Sequence, residues 1–297
     1  MFEEGQLYAP VHRNDTGDVV VELSDSHPGV ADASYRARRN AIAAAATDWR
    51  PNDPLPTVEY TAAEHDVWAT VSRELEPLHQ ELACREFLVG QQLLQLPTDH
   101  IPQLDEVSAG VQRLTGFRYH PAAGLVPLRE FYGSLADGVF HSTQYIRHHS
   151  VPLYTPEPDV IHEVVGHGNC LASDRFAALY RAAGEAAQRV QTAEALEFVS
   201  KVFWFSLEFG VLREDGRVKT YGAGLLSSFG EIQEMAQAEL LPVDLARMGR
   251  QEYDITHYQP LLFCADGFSE VEDVIGSFFE EATDDYIASL GATRLTV

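Results

Sequence analysis

The sequence predicts a mainly α-helical fold with a small β component, in a single domain behind a short N-terminal arm. Three observations carry this. Apolar residues recur at three- and four-residue steps through most of the chain, the signature of helices with one buried face. Extended runs are few and short, which leaves room for a small sheet. The 297 residues are 45% hydrophobic and 22% charged, an ordinary globular composition. A chain of that length buries a full core without disulfides or a structural metal.

Residues 1–25 are polar, carry one candidate strand at Val19–Leu23, and read as a loosely attached arm; residues 26–297 form the domain proper. His27-Pro28-Gly29 is a turn. Ser34 to Trp49 is rich in Ala and Arg, hence helical, and Pro51, Pro54 and Pro56 stop it. Thr61 to Gln95 reads as one or two helices, with Val67, Trp68, Val71, Leu75 and Leu78 on one face. Pro102 to Leu114 repeats the pattern through Leu104, Val107, Val111 and Leu114. Phe117 to His149, rich in Gly, Pro and aromatics, is expected to be irregular with short strands. A helix is entered at Pro158-Asp159 and runs to His167. Phe176 to Gln191 and Ala193 to Leu212 are helical, Lys219 to Leu225 is extended, and helices return at Glu231 to Glu239 and Val271 to Leu290.

Twenty-one Lys+Arg against 45 Asp+Glu leave a net charge of −24. A field of that sign repels phosphate backbones and anionic lipid, so no nucleic-acid or membrane-surface partner is expected. Cys84, Cys170 and Cys264 are far apart and form no CxxC pair, which fits a reduced, cytoplasmic chain. The opening MFEEGQLYAP lacks the basic and apolar regions of a secretory leader. The most apolar stretch, Val202 to Leu212, is interrupted by Ser206 and Glu208, too short and too polar to span a bilayer.

The sharpest local signal is Pro158-Asp159-Val160-Ile161-His162-Glu163-Val164-Val165-Gly166-His167. It differs from the zinc-protease pattern HExxH, because Gly166 stands where the second histidine belongs. On an α-helix, residues five apart lie roughly 140° apart. The two imidazoles meet only if the helix ends or distorts between them, a freedom that Gly166 and Gly168 supply. Glu208, in the apolar run Phe203 to Gly210, is the best third donor, since a buried carboxylate there needs a metal or an ion-pair partner. Two histidines and one carboxylate with open positions are the facial set of non-haem Fe(II) oxygenases. Plainer readings stand beside this one: a polar helix end for the histidines, a salt-bridge partner for Glu208, hydrogen-bonding or surface roles for His141, His148 and His149, a tight turn for Gly222-Ala223-Gly224, and a small buried hydrophobe for Cys170.

Longer blocks carry more. HPGVADASYRARR from His27, TGFRYHPAAGL from Thr115, the run from Phe140 to His167, FWFSLEFG from Phe203, KTYGAGLLSSFGE from Lys219 and YQPLLF from Tyr258 together resemble the pterin-dependent aromatic amino acid hydroxylases, and among them the bacterial phenylalanine-hydroxylating members. The resemblance implies a catalytic domain of the aromatic amino acid hydroxylase type, with Fe(II), a tetrahydropterin such as tetrahydrobiopterin, and O₂ as co-substrate. It implies iron at His162, His167 and Glu208. Arg147 would hold the substrate carboxylate, a bidentate task suited to guanidinium, with Thr155 and Ser227 at the amino acid backbone. Pro158, Trp204 and Gly224 would wall the ring. Phe131 would stack on the pterin, Gly124 and Leu125 would meet its edge through their backbone, Glu163 would reach it through water, and His141 would lie near it. Val126-Pro127-Leu128 replaces the two serines usual after that Gly-Leu pair, which leaves the backbone contacts to the pterin and takes away side-chain ones. Trp204, Phe209, Gly224 and the aliphatic Ile255 together imply phenylalanine as substrate, hydroxylated at the para carbon to tyrosine. Tryptophan is the alternative substrate, and a zinc hydrolase with Glu163 as base is the alternative chemistry. The chain has little beyond the resembling blocks at either end, so a monomer without a regulatory domain is expected.

Overall fold

The chain enters through a hairpin. β1 (Val11–Arg13) pairs antiparallel with β2 (Val19–Val21), with Val11 opposite Val21. Val19 and Val21 are buried in a small cluster with Ala9 and Ala43. The arm expected to be loosely attached is therefore packed down where it is described, because its alternating valines have an apolar helix face to cover. The computed structural model describes residues 9–255 and 257–292; the first eight residues of the arm fall outside that range.

Four helices follow, with boundaries written in their caps. α1 (Ala33–Asp48) starts at Asp32, whose carboxylate accepts from the backbone N–H of Ser34 and Tyr35. α2 (Ala62–Leu82) opens with a reciprocal Thr61–Glu64 capping box and buries Val67, Trp68, Val71 and Leu75, the face its periodicity marks. α3 (Arg85–Leu94) is separate, so the Thr61–Gln95 region holds two helices. α4 (Leu104–Thr115) ends at Gly116, which takes a left-handed φ of 80°.

The segment expected to be irregular holds a unit of its own. β3 (Arg118–Pro121) and β4 (Val139–Ser142) pair in parallel, Arg118 opposite Val139, and the crossover is a helix, α5 (Leu128–Ala136). Gly133 and the preceding glycine and prolines hide this helix from propensity; tertiary packing makes it. It lies against α7 (Asp174–Arg189), which is separated from the histidine motif by the short α6 (Asn169–Leu171). The small residues of α7 permit close approach: a Cβ on Gly184 would stand 2.2 Å from the Ala136 nitrogen. α7 buries Phe176, Ala177, Tyr180 and Ala183 at the centre of the core.

α8 (Ala193–Phe203) passes into a π-helical turn, Trp204–Glu208, and stops. Helix does not reach Leu212 as expected. At Gly210 any side chain would overlap the Tyr221 ring and the Ser206 carbonyl, and the chain turns into β5 (Val211–Glu214). β6 (Arg217–Thr220) returns through a tight turn in which Asp215 and Gly216 both have positive φ. After α9 (Ala223–Ser227) and α10 (Phe229–Glu234) come β7 (Glu239–Pro242), α11 (Leu245–Met248) and β8 (Leu261–Ala265). The four strands form one sheet in the order β6-β5-β8-β7. The chain closes with α12 (Phe268–Glu270), a π-helical stretch Val271–Gly276, α13 (Ser277–Glu281) and α14 (Asp284–Ala292). The fold is mainly α with a small sheet, as predicted; β1, β5, β7 and β8 are strands that the sequence did not announce. No described helix is long and apolar enough to cross a membrane.

Candidate active site

His162–Gly168 is a π-helical stretch. Of the two ways left open, an end or a distortion between the histidines, the structure takes the second: the helix does not end, it widens. With i→i+5 hydrogen bonding, a residue and its fifth successor stack on one face, so His162 and His167 come together through the winding itself. Their Nε2 atoms are 3.0 Å apart. Glu208 arrives from the end of the other π-helical turn, with Oε1 3.1 Å from His167 Nε2 and Oε2 3.7 Å from His162 Nε2. The two turns are locked through α9. A Cβ on Gly166 would lie 2.7 Å from the Ala223 carbonyl, and one on Gly222 would lie 2.3 Å from the Glu208 carbonyl.

The far side of each imidazole is also held. Ser227 Oγ donates to the Ala223 carbonyl at 2.8 Å and lies 2.9 Å from His162 Nδ1. With its own proton so used, the hydroxyl accepts from Nδ1–H, which leaves the His162 Nε2 lone pair facing the shared point. Tyr180 OH lies 2.7 Å from His167 Nδ1. Burial, with His167 alongside, lowers the His162 pKa to about 4 and keeps the ring neutral. Burial raises the Glu208 pKa, but the charge and hydrogen bond of His167 outweigh it and hold the carboxylate ionised.

Next to this cluster is a cavity. Phe131, His141, Thr143, Glu157, Pro158 and Glu163 line it, with Gly124 and Leu125 at one edge. Glu163 accepts from Thr143 Oγ at 3.3 Å. Burial, reinforced by the Glu208 charge, raises its pKa well above the usual carboxylate range. His141 contacts Ser134 Oγ at 3.1 Å, and burial lowers its pKa. Gly124 sits under the N-terminal hairpin, where a Cβ would be 3.0 Å from Val11. On the cavity's polar side, the Arg39 guanidinium stacks 3.3 Å over the Tyr145 ring and bonds Glu157 at 2.6 Å, while its Nε is buried with no hydrogen-bond partner.

Arg147 is buried and clamped by Asp159: Nε to Oδ2 and Nη2 to Oδ1, both 2.8 Å. Nη1 has no part in that fork. Asp159, read from sequence as a helix entrance, also binds the Arg147 backbone N–H at 2.8 Å. Trp204 stacks on the Tyr253 ring at 4.2 Å and lies tilted against the Phe209 ring at 4.5 Å. A Cβ on Gly224 would lie 2.6 Å from Phe209, so the bare glycine and the Phe209 ring fit each other. Thr155 Oγ donates to the Glu157 carbonyl at 2.8 Å. Ile255 is half-buried in a turn two residues beyond Tyr253. Ser227, expected at the amino acid backbone, lies against His162.

Comparison with known proteins decides the family. The sequence profile of the biopterin-dependent aromatic amino acid hydroxylases matches residues 12–292. The chain belongs to that family. It is 52% identical over 276 residues to a protein of Streptomyces coeruleorubidus named phenylalanine 3-hydroxylase, covering 93% of this chain and 99% of the relative. It is 43% identical over 263 residues to the rat phenylalanine-4-hydroxylase, covering 86% of this chain but only 58% of the rat protein. The Chromobacterium violaceum phenylalanine hydroxylase, solved with iron(III) and 7,8-dihydrobiopterin, superposes with a TM-score of 0.69 at 28% identity, over 74% of this chain and 82% of that one.

The donor set fits an iron of this family. For metal–ligand bonds of about 2.1 Å, donors at a right angle stand about 3.0 Å apart, and two of the three separations are 3.0 and 3.1 Å. The cavity fits a pterin, with an aromatic face in Phe131, a buried carboxyl in Glu163 and an unused donor in Arg39. Sequence reading missed Tyr180, Thr143 and the Arg39–Glu157 pair. Tyr180 sits thirteen residues beyond His167 on another helix and carries no local signal; the one hint is a tyrosine on the small-residue face of a buried helix, where its hydroxyl needs a partner.

Proposed function

We propose that this hydroxylase acts on the ring of L-phenylalanine and places one oxygen atom of O₂ at the para carbon, giving tyrosine. The observation that carries the reading is the convergence of His162, His167 and Glu208 beside a ring box made of Trp204, Phe209 and the side-chain-free Gly224. Iron at the three donors and a tetrahydropterin in the neighbouring cavity supply the activation of O₂. The chain's own residues do the rest. Arg147, its fork fixed by Asp159, offers Nη1 to the substrate carboxylate. Glu163, whose carboxyl burial shifts toward the protonated form, faces the pterin cavity with His141 beside it. The aromatic box shuts water out of the reacting centre.

Trp204 fills space that an indole substrate would need, which disfavours tryptophan. Ile255 gives a tyrosine hydroxyl no partner, and an unpaired buried hydroxyl costs roughly 1–3 kcal/mol, about 5- to 150-fold in kcat/KM. One observation favours a second reading, attack at the meta carbon: the relative at 52% identity is named a 3-hydroxylase. Product chromatography after turnover of L-phenylalanine with Fe(II), tetrahydrobiopterin and O₂ separates the two. para-Tyrosine is expected. meta-Tyrosine as main product overturns the para assignment, and no ring-hydroxylated product overturns the choice of substrate.

A further inference from the structure

Away from His162, His167 and Glu208, a second set of two imidazoles and one carboxylate lies where α1 meets the loop after Arg147. Asp32 Oδ1 caps α1, accepting from Ser34 N and Tyr35 N at 2.8 and 3.0 Å. That leaves Oδ2, which faces His148 Nε2 at 3.3 Å. The His149 ring lies 4.3 Å from the His148 ring, tilted by 36°. One donor atom from each of Asp32, His148 and His149 falls within 4.8 Å of the others. His148 is buried, Asp32 half-buried and His149 exposed, so one side of the set is open to solvent.

We propose that Asp32, His148 and His149 form a second metal site, for a divalent cation of the zinc type with water completing the coordination. Two imidazoles select a borderline transition ion over magnesium or calcium, which take oxygen donors. Two ligands on one tetrahedral ion with bonds of about 2.0–2.1 Å stand about 3.3 Å apart, the separation already present between Asp32 and His148. The outer contacts suit a ligand. His148 Nδ1 lies 2.7 Å from Ser150 Oγ, and the Tyr35 and His148 rings meet at right angles with centroids 5.0 Å apart, so the ring orientation is set before an ion arrives. Without an ion, Ser150 N–H donates to Nδ1 at 3.3 Å and Nε2–H donates to Asp32. On binding, the ion takes the Nε2 lone pair and Nδ1–H donates to Ser150 Oγ. His148 directly follows Arg147, so a bound ion staples the start of α1 to the loop that carries the proposed substrate-binding guanidinium.

The test is elemental analysis of the iron-loaded protein after equilibration with zinc chloride in excess magnesium and gel filtration. The wild type is expected to keep its iron and gain one zinc per chain. His149→Ala removes an exposed donor, and Asp32→Asn removes the charge while keeping a side chain that caps a helix equally well. Both are expected to keep iron and lose the zinc. Retained iron shows that the variants are folded. Zinc gained only as iron is lost, or gained equally by wild type and both variants, overturns the proposal.

Discussion

Arg147 shows how much a single side chain depends on its partner. Its fork is spent on Asp159, so in the proposed substrate site it would act as an oriented guanidinium held by a buried carboxylate. Burial raises the Asp159 pKa, yet the Arg147 charge outweighs it and keeps the group ionised. Lysine at 147 would replace a planar fork by a point charge and leave Asp159 half-satisfied. Arg147→Lys is expected to raise the phenylalanine KM by tenfold or more, on the order of 1.4 kcal/mol or above, while the pterin KM moves little. Equal effects on both, read from initial rates with each substrate varied in turn, would take Arg147 out of the substrate site. Tyr180 makes the complementary case from the metal side. Tyr180→Phe keeps the buried ring and deletes one hydrogen bond to His167. Loss of a ligand's outer partner typically weakens metal binding about 10- to 100-fold, so competition with a chelator should show that drop in Fe(II) affinity, with urea unfolding of the metal-free protein changed by less than about 1.5 kcal/mol. Unchanged affinity would make Tyr180 a packing residue only. Arg147 was legible in the sequence and Tyr180 was not, because the first lies in a long distinctive block and the second acts across the core from a helix whose pattern speaks only of burial.

At the scale of elements, the π-helical turns are what the sequence half revealed. The spacing of His162 and His167 is wrong for an α-helix, and that misfit was readable; the remedy was not. A helix break and a widened helix both satisfy a five-residue spacing, and only packing against α9 selects the second. Gly166 is where that choice is visible, since its missing side chain makes room for the Ala223 carbonyl. Gly166→Ala is expected to cost about 1–3 kcal/mol by overpacking and to lower iron occupancy, because the turn that aligns the histidines must move. Denaturant unfolding and iron content check both; wild-type stability with full iron would show that the approach is not tight. The same blindness explains α5, β7 and β8. Their residues have weak propensity, and long-range partners make them: α7 for α5, and β5 for the parallel strand β8.

Across the whole molecule, the site is assembled from segments far apart in the chain. The Gly124–Leu125 edge, the β3–α5–β4 unit with Phe131 and His141, two π-helical turns and α9 all converge on it, and the N-terminal hairpin rests against Gly124. Fold class and the meeting of His162, His167 and Glu208 were legible because helix periodicity and rare buried polar residues are local signals. The contact of the hairpin with Gly124 was not, since nothing in a valine alternation names the surface it will cover. The net charge of −24 fits a protein that takes small zwitterionic and neutral ligands and attracts metal cations over its surface. The central claim, that His162, His167 and Glu208 hold the iron that drives hydroxylation, is tested most directly by measuring bound iron and hydroxylated product in one preparation of Glu208→Ala. Less than a tenth of the wild-type iron after gel filtration and no detectable tyrosine from phenylalanine are expected. Tight stoichiometric iron with near-normal turnover would contradict it.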